Sequence, residues 1–237
     1  MSAPRPIWLT RPLADNVAMA AELERLGIAT ISAPLLHIES TPVSLPTTPP
    51  SALLITSRYA ATALPDAWKN VAVYAVGAAT AEAVSARGYA HVTVGDGELM
   101  DLLPRIAEEM HRTSLLYLSG EDIALDVVGL LAAKQVQVDR VIAYRATAAT
   151  ELVPELRDAL HAGALGGVVF FSKRTAAIAR LLLASADLTA AAARVDAYCL
   201  SLAVASDAAQ IPWRKLHVAH RPTREAMVEM LRLHGAN

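Results

Sequence analysis

Apolar residues fall into two alternating spacings along this chain. Continuous runs such as "PIWLT" (Pro6–Thr10), "ALLIT" (Ala52–Thr56), "SLLYLSG" (Ser114–Gly120) and "GVVFFS" (Gly167–Ser172) read as strands buried on both faces. Between them, apolar residues recur every three or four positions, as helices require. "DNVAMAAELERLG" places Val17, Ala20, Leu23 and Leu26 at helical spacing, with Gly27 as the stop. With "IATISAP" after it, the opening is a β-α-β unit, which predicts a parallel sheet. Further strands are expected in "VAVYAVG", "HVTVG", "VDAYCLS" and "KLHVAH", each leading into a helix. "LMDLLPRIAEEMH" is also helical, with Pro104 expected near its start, where proline is tolerated.

Three segments depart from this pattern. "LLHIEST" and "VDRVIAYRAT" alternate apolar and polar residues, as half-exposed strands do. "PVSLPTTPPS" (Pro42–Ser51) has too many prolines to be a helix and reads as a linker. Apart from "LLHIEST", only two strands precede that linker, too few for a sheet, whereas three follow residue 148. Pairing the two chain ends gives one five-stranded domain and leaves a second in the middle. The expected division is 1–35 plus 148–237, and 42–140, with 36–41 and 141–147 as a connecting two-stranded antiparallel ladder.

The chain has 237 residues, a charged fraction of 19% and a net charge of -2. That balance gives no reason to expect nucleic-acid binding. No hydrophobic signal segment or run of about 18 apolar residues occurs, so a soluble, cytoplasmic protein with no membrane association is expected. The lone Cys199 reads as a small buried hydrophobe. His217 and His220 are too poorly disposed on a strand to suggest a metal site. No nucleotide-binding or nucleophile-elbow motif appears.

One local pattern occurs twice. In "LLITSRYAATAL" and "VVFFSKRTAAI" an apolar strand exits through serine and a cation into an Ala-rich helix: Ser57 with Arg58, and Ser172 with Lys173. Helix N-termini at strand exits bind anions. Arg11 in "LTRP" and Arg221 in "HRPTRE" stand at similar turns. Two such domains would hold a ligand with several carboxylates or phosphates between them.

The ordered set "WLTRP", "LLITSRYAATAL", "YAVGAATAEAVSARGY", "VIAYRA", "VVFFSKRTAAI" and "HRPTREAMVEML" resembles the uroporphyrinogen-III synthase family over nearly the whole chain. The resemblance implies two flavodoxin-like parallel-sheet domains joined by the ladder, in a monomer that uses no cofactor or metal. It implies a carbon-oxygen lyase acting on hydroxymethylbilane, a linear tetrapyrrole with eight carboxylates. The bilane would lose its terminal hydroxyl, invert ring D through a spiro intermediate and close to uroporphyrinogen III, in haem and porphyrin biosynthesis. It further implies Tyr144 as hydrogen-bond donor to the departing hydroxyl. Substrate-binding turns map to Thr56 and Ser57; to Gly77, Ala78 and Thr80; to Ser172; and to Pro222 and Thr223. Where the family commonly has Gly-Pro-Thr-Thr-Ala, this chain reads Ser201 to Ala205 and lacks both threonines. Ser201 is then the remaining hydroxyl at that turn. Two alternatives stay open: a non-catalytic two-lobed binding protein for a polyanion, and a degenerate synthase that binds tetrapyrroles without turnover.

Overall fold

The computed structural model describes residues 5–95, 99–123 and 125–235. The chain divides into two compact units, Met1–His37 with Thr147–Asn237, and Ile38–Ala146. Both are α/β with a parallel sheet.

The first unit holds β1 (Ile7–Leu9), β2 (Thr30–Ser32), and later β9 (Gly167–Phe170), β10 (Asp196–Cys199) and β11 (Lys215–Val218). Their order is β11-β10-β9-β1-β2, all pairs parallel. Renumbered within the unit this is 2-1-3-4-5, the flavodoxin-like winding, and it reverses direction between β1 and β9. Alternate strand residues serve opposite cores. Trp8, Val168 and Phe170 join one apolar cluster, while Ile7, Leu9 and Val169 join the other. α5 (Pro154–His161) and α6 (Lys173–Ser185) cover the first cluster; α1 (Leu13–Arg25) and α8 (Arg224–His234) cover the second.

The second unit holds β4 (Ala52–Ile55), β5 (Ala72–Ala75), β6 (Val92–Val94), β7 (Ser114–Gly120) and β8 (Gln137–Ala148), with β3 (Leu36–Ser40) at its edge. The order is β3-β8-β7-β4-β5-β6. The five strands from β4 to β8 therefore run 3-2-1-4-5, so the flavodoxin-like order expected here is corrected to the other doubly wound order. Direction reverses between β4 and β7. α3 (Leu99–Glu109) and α4 (Val127–Ala132) pack on one face of this sheet through Leu102, Ile106, Val127 and Leu131. α2 (Ala78–Ala86) packs on the other through Val84. β8 begins at Gln137 and pairs parallel with β7 as far as Tyr144, so the expected connecting strand is also a full member of this sheet. Along its edge Thr41 N–H donates to Ala143 O (3.1 Å), and Ala149 N–H donates to Leu35 O (3.1 Å).

Several local expectations change for clear reasons. The buried stripe of α1 is Asn16, Met19 and Leu23, while Val17 and Leu26 are 61% and 42% exposed. The Ala and Val residues leave two helical faces almost equally apolar, and Asn16 is stabilised in the interior by donating to Leu9 O and Ser32 Oγ. Gly27, at φ 75°, ends the helix as expected. The segment after Ser57 is not an α-helix but a 3-10 turn, Arg58–Ala63. Thr62 Oγ1 bonds back to Tyr59 O (2.8 Å), and Leu64 turns extended before Pro65. Pro104 lies inside α3 rather than at its start. It stands on the exposed face of the helix, with exposed Met100 one turn before it.

Candidate functional site

Parallel strands put all their carboxyl ends on one edge of a sheet. In open α/β sheets that edge, at the point where strand order reverses, is where ligands bind. In each unit the candidate residues gather there.

In the first unit the reversal point is flanked by the exits of β1 and β9. Thr10 is fully buried, and its hydroxyl donates to Val169 O across the gap (2.6 Å). Arg11 follows, its guanidinium 4.6 Å from the centre of the Phe171 ring and 3.1 Å from Asp15 Oδ2. Pro12 occupies the N-cap of α1, and no side chain caps that helix. Asp15, in its first turn, thus offsets the helix dipole and holds Arg11. At the neighbouring exit Ser172 caps α6, accepting from Thr175 N–H (3.2 Å). Lys173 is exposed, its Nζ 4.0 Å from Asp207. Farther along, Ser201 caps α7 (Leu202–Ala208), accepting from Val204 N–H (3.4 Å). Thr223 caps α8, accepting from Ala226 N–H (3.2 Å), with Arg221 and Pro222 exposed before it. Arg224 instead ties α8 to α1 through Glu22.

In the second unit the exits of β4 and β7 flank the reversal. Thr56 Oγ1 lies 3.3 Å from the Tyr117 hydroxyl. Ser57 accepts from Tyr59 N–H (3.4 Å), and Arg58 lies 5.3 Å from the Tyr59 ring centre. Because a six-residue 3-10 turn follows Ser57, this exit has no long helix dipole. The two serine-cation turns are therefore unequal. Gly77 is the extended N-cap of α2, Ala78 is exposed, and Thr80 is buried in the first turn.

Tyr144 stands on β8 directly opposite Gly120, the last residue of β7. A Cβ on Gly120 would come within 2.7 Å of Tyr144 Cζ and 2.9 Å of its hydroxyl, so only glycine leaves the ring its place. The Tyr59 ring packs 5.7 Å away at 57°. Tyr144 is half-buried, an apolar ring with a polar tip at the strand exit.

Sequence reasoning missed Gly120, Tyr59 and Arg140 beside Tyr144, and Phe171 beneath Arg11. The aromatic after Ser57-Arg58 was a readable signal. The contact with Gly120 was not, because strand pairing decides it. Also missed was a network at the opposite edge of the first sheet. Asp196, 6% exposed, accepts from Arg214 Nε (2.7 Å) and Nη2 (2.9 Å), and His217 Nε2 lies 3.3 Å away. His217 stacks between Tyr198 (4.8 Å) and His234 (4.9 Å). Burial would raise the Asp196 carboxyl, but the bonds from Arg214 and His217 outweigh it and hold it below its ordinary value. Burial pushes the His217 imidazole down despite Asp196, and pushes the Tyr198 phenol up to about 12. This network is structural, remote from the strand exits. Among the described residues no three His, Cys, Asp or Glu side chains converge as metal ligands, and no helix is long and apolar enough to cross a membrane.

Two doubly wound α/β units, each with hydroxyls and cations at the carboxyl ends of its strands, define a two-unit α/β protein. The chain belongs to the uroporphyrinogen-III synthase HemD family, whose sequence model matches residues 17–229. Among solved structures it is similar to the uroporphyrinogen-III synthetase of Helicobacter pylori, with 18% identity over 95% of this chain and 97% of that one, at a TM-score of 0.64. It is also similar to a mutant uroporphyrinogen III synthase of Thermus thermophilus, with 19% identity over 97% and 98% and a TM-score of 0.51. At these identities the likeness is one of fold. No curated protein matches the chain.

Proposed function

We propose that the chain cyclises hydroxymethylbilane to uroporphyrinogen III, with inversion of ring D and loss of water. Family membership over residues 17–229 carries this reading, and the contents of the strand exits agree with it. The bilane closes unaided to the uninverted isomer, so the protein's task is to hold one folded conformer and assist departure of the hydroxyl. Carboxylates of the bilane are held at the exits by Arg11, Ser172, Lys173, Ser201 and Arg221 with Pro222 and Thr223. In the second unit they are held by Thr56, Ser57, Arg58, Gly77, Ala78 and Thr80. At Ser57, Ser201 and Thr223 the cap oxygen is engaged by a backbone N–H and its own proton is what it offers the ligand, whereas the Ser172 hydroxyl also lies 3.1 Å from Thr175 Oγ1.

Tyr144 donates a hydrogen bond to the departing hydroxyl. The contacts with Gly120 and Tyr59 favour this role by fixing the ring in one place. The same reading takes domains of 1–35 plus 148–237 and of 42–140. They are linked by an antiparallel ladder of β3 and β8. The bonds from Thr41 to Ala143 and from Ala149 to Leu35 support that sense, since one number falls as the other rises. A cytoplasmic monomer without cofactor completes it.

Replacing Tyr144 by phenylalanine tests the assignment. The kcat for the type III isomer is expected to fall at least tenfold, roughly 1.4 kcal/mol of lost transition-state stabilisation, with unchanged circular dichroism. An unchanged kcat would reduce Tyr144 to a packing residue.

A further inference from the structure

Arg140 lies four residues before Tyr144 on β8, yet its guanidinium reaches across to the end of β7. Its Nε donates to Ser119 Oγ (2.7 Å), and its Nη2 donates to both Gly120 O and Glu121 O (2.7 Å each). These are the three residues at the exit of β7, beside the reversal point of the second sheet. There the pairing slips. Ser119 faces Ile142 but Gly120 faces Tyr144, so β8 carries one extra residue, Ala143. Such a bulge re-aims the next side chain. Ala143 is 1% exposed, which anchors the bulge, and Glu121 N–H donates to Tyr144 O (2.9 Å) on its far side. The Tyr144 ring then rests on Gly120, whose carbonyl is one of the acceptors of Arg140.

We infer that Arg140 is a positioning residue for Tyr144: by clamping Ser119, Gly120 and Glu121 it sets the bulge that aims the Tyr144 hydroxyl. This rests on the proposed role of Tyr144. The geometry argues against Arg140 as a substrate contact and against a mere strand-to-strand tie. A guanidinium meeting a hydroxyl and two carbonyls at 2.7 Å is committed to the protein rather than offered to a carboxylate. A plain tie would need one bond, whereas this fork spans three consecutive residues, as the planar donor set of arginine allows and lysine does not.

The test is a double-mutant cycle on the type III-forming rate, with Arg140→Gln, Tyr144→Phe and the combination. Arg140→Gln is expected to lower kcat at least fivefold with KM within twofold of the wild type. In the Tyr144→Phe background it should add less than a further 1.5-fold, because there is no hydroxyl left to misplace. Losses that multiply, a rise in KM alone, or an unchanged kcat would overturn the inference. Arg140→Lys, which keeps the charge but not the fork, carries the same test if the glutamine variant fails to fold. A readout independent of turnover separates this from failure of the functional reading. With 3-fluorotyrosine incorporated, the Tyr144 fluorine resonance, identified by its absence in Tyr144→Phe, should shift or broaden in the Arg140 variants. An unmoved resonance overturns the inference even if the wild type makes no type III isomer, and a moved one upholds it.

Discussion

The network of Asp196, Arg214 and His217 lets stability be dissected at a single carboxylate. Asp196→Asn keeps the shape but leaves only one acceptor oxygen for the two Arg214 N–H groups held at 2.7 and 2.9 Å, with His217 Nε2 at 3.3 Å. A hydrogen bond to a charged group contributes about 1.5–3 kcal/mol, and stranding one partner of a fully buried ion pair costs about 3–5 kcal/mol. Arg214 is 46% exposed, so water screens the charge left behind, and about 2 kcal/mol is the expected loss at pH 7.5. For a unit of this size that lowers Tm by roughly 5–10 °C.

The pH dependence carries a sign. The Asp196 carboxyl sits below its ordinary value, so its contribution is complete above that value and fades only as pH falls through the still lower folded one. The His217 imidazole is also depressed, so its contribution is complete above about 6.5 and fades as pH falls below that. In the folded wild type Asp196 partly supports a charged His217, and the asparagine does not. The gap between variant and wild type should therefore hold from pH 7.5 to about 6.5, widen as pH falls below that, then narrow once Asp196 itself is protonated. Thermal melts followed by tryptophan fluorescence read this in a Trp68→Phe background, where Trp8 and Trp213 both report on the first unit. A gap that stays constant below about pH 6.5, or an asparagine variant as stable as the wild type, would refute the reasoning.

Other expectations follow from single contacts. Ser172→Ala should destabilise by about 1 kcal/mol through loss of the α6 cap, measured in urea, while Ser172→Asp should keep stability but raise KM by placing a carboxylate at the strand exit. Asp15→Asn should release Arg11 and lower KM severalfold; a raised KM would mean that Asp15 instead orients Arg11 for the substrate. Leu23→Ala should cost about 2–5 kcal/mol and Val17→Ala less than about 0.5 kcal/mol in the same urea titration, because one is fully buried and the other largely exposed.

The strands were legible because continuous apolar runs leave few alternatives, as in "ALLIT" and "GVVFFS" with residues on both faces buried. The helices were legible in existence more than in facing. In α1 an Ala-rich sequence carries little amphipathic signal, and hydrogen bonds from a buried Asn16 decided which side turned inward. Sheet order was not legible in the second unit, since local pattern does not say on which side of β4 the chain returns. The strand exits could be read as a set, because serine, threonine and arginine after apolar runs are local signals. The surroundings of Tyr144 could not. Gly120 and Arg140 acquire their roles through a one-residue slip in pairing between strands distant in sequence, which no spacing within either strand reveals.

The claim that the chain turns bilane closure toward the inverted isomer is tested most directly by product partition. Hydroxymethylbilane closes to the type I isomer without help, so enzyme and spontaneous reaction compete for one pool. With hydroxymethylbilane generated in situ at a fixed rate, the fraction of type III product should rise with the concentration of this protein and saturate near unity. A product that remains type I at every protein concentration would contradict it.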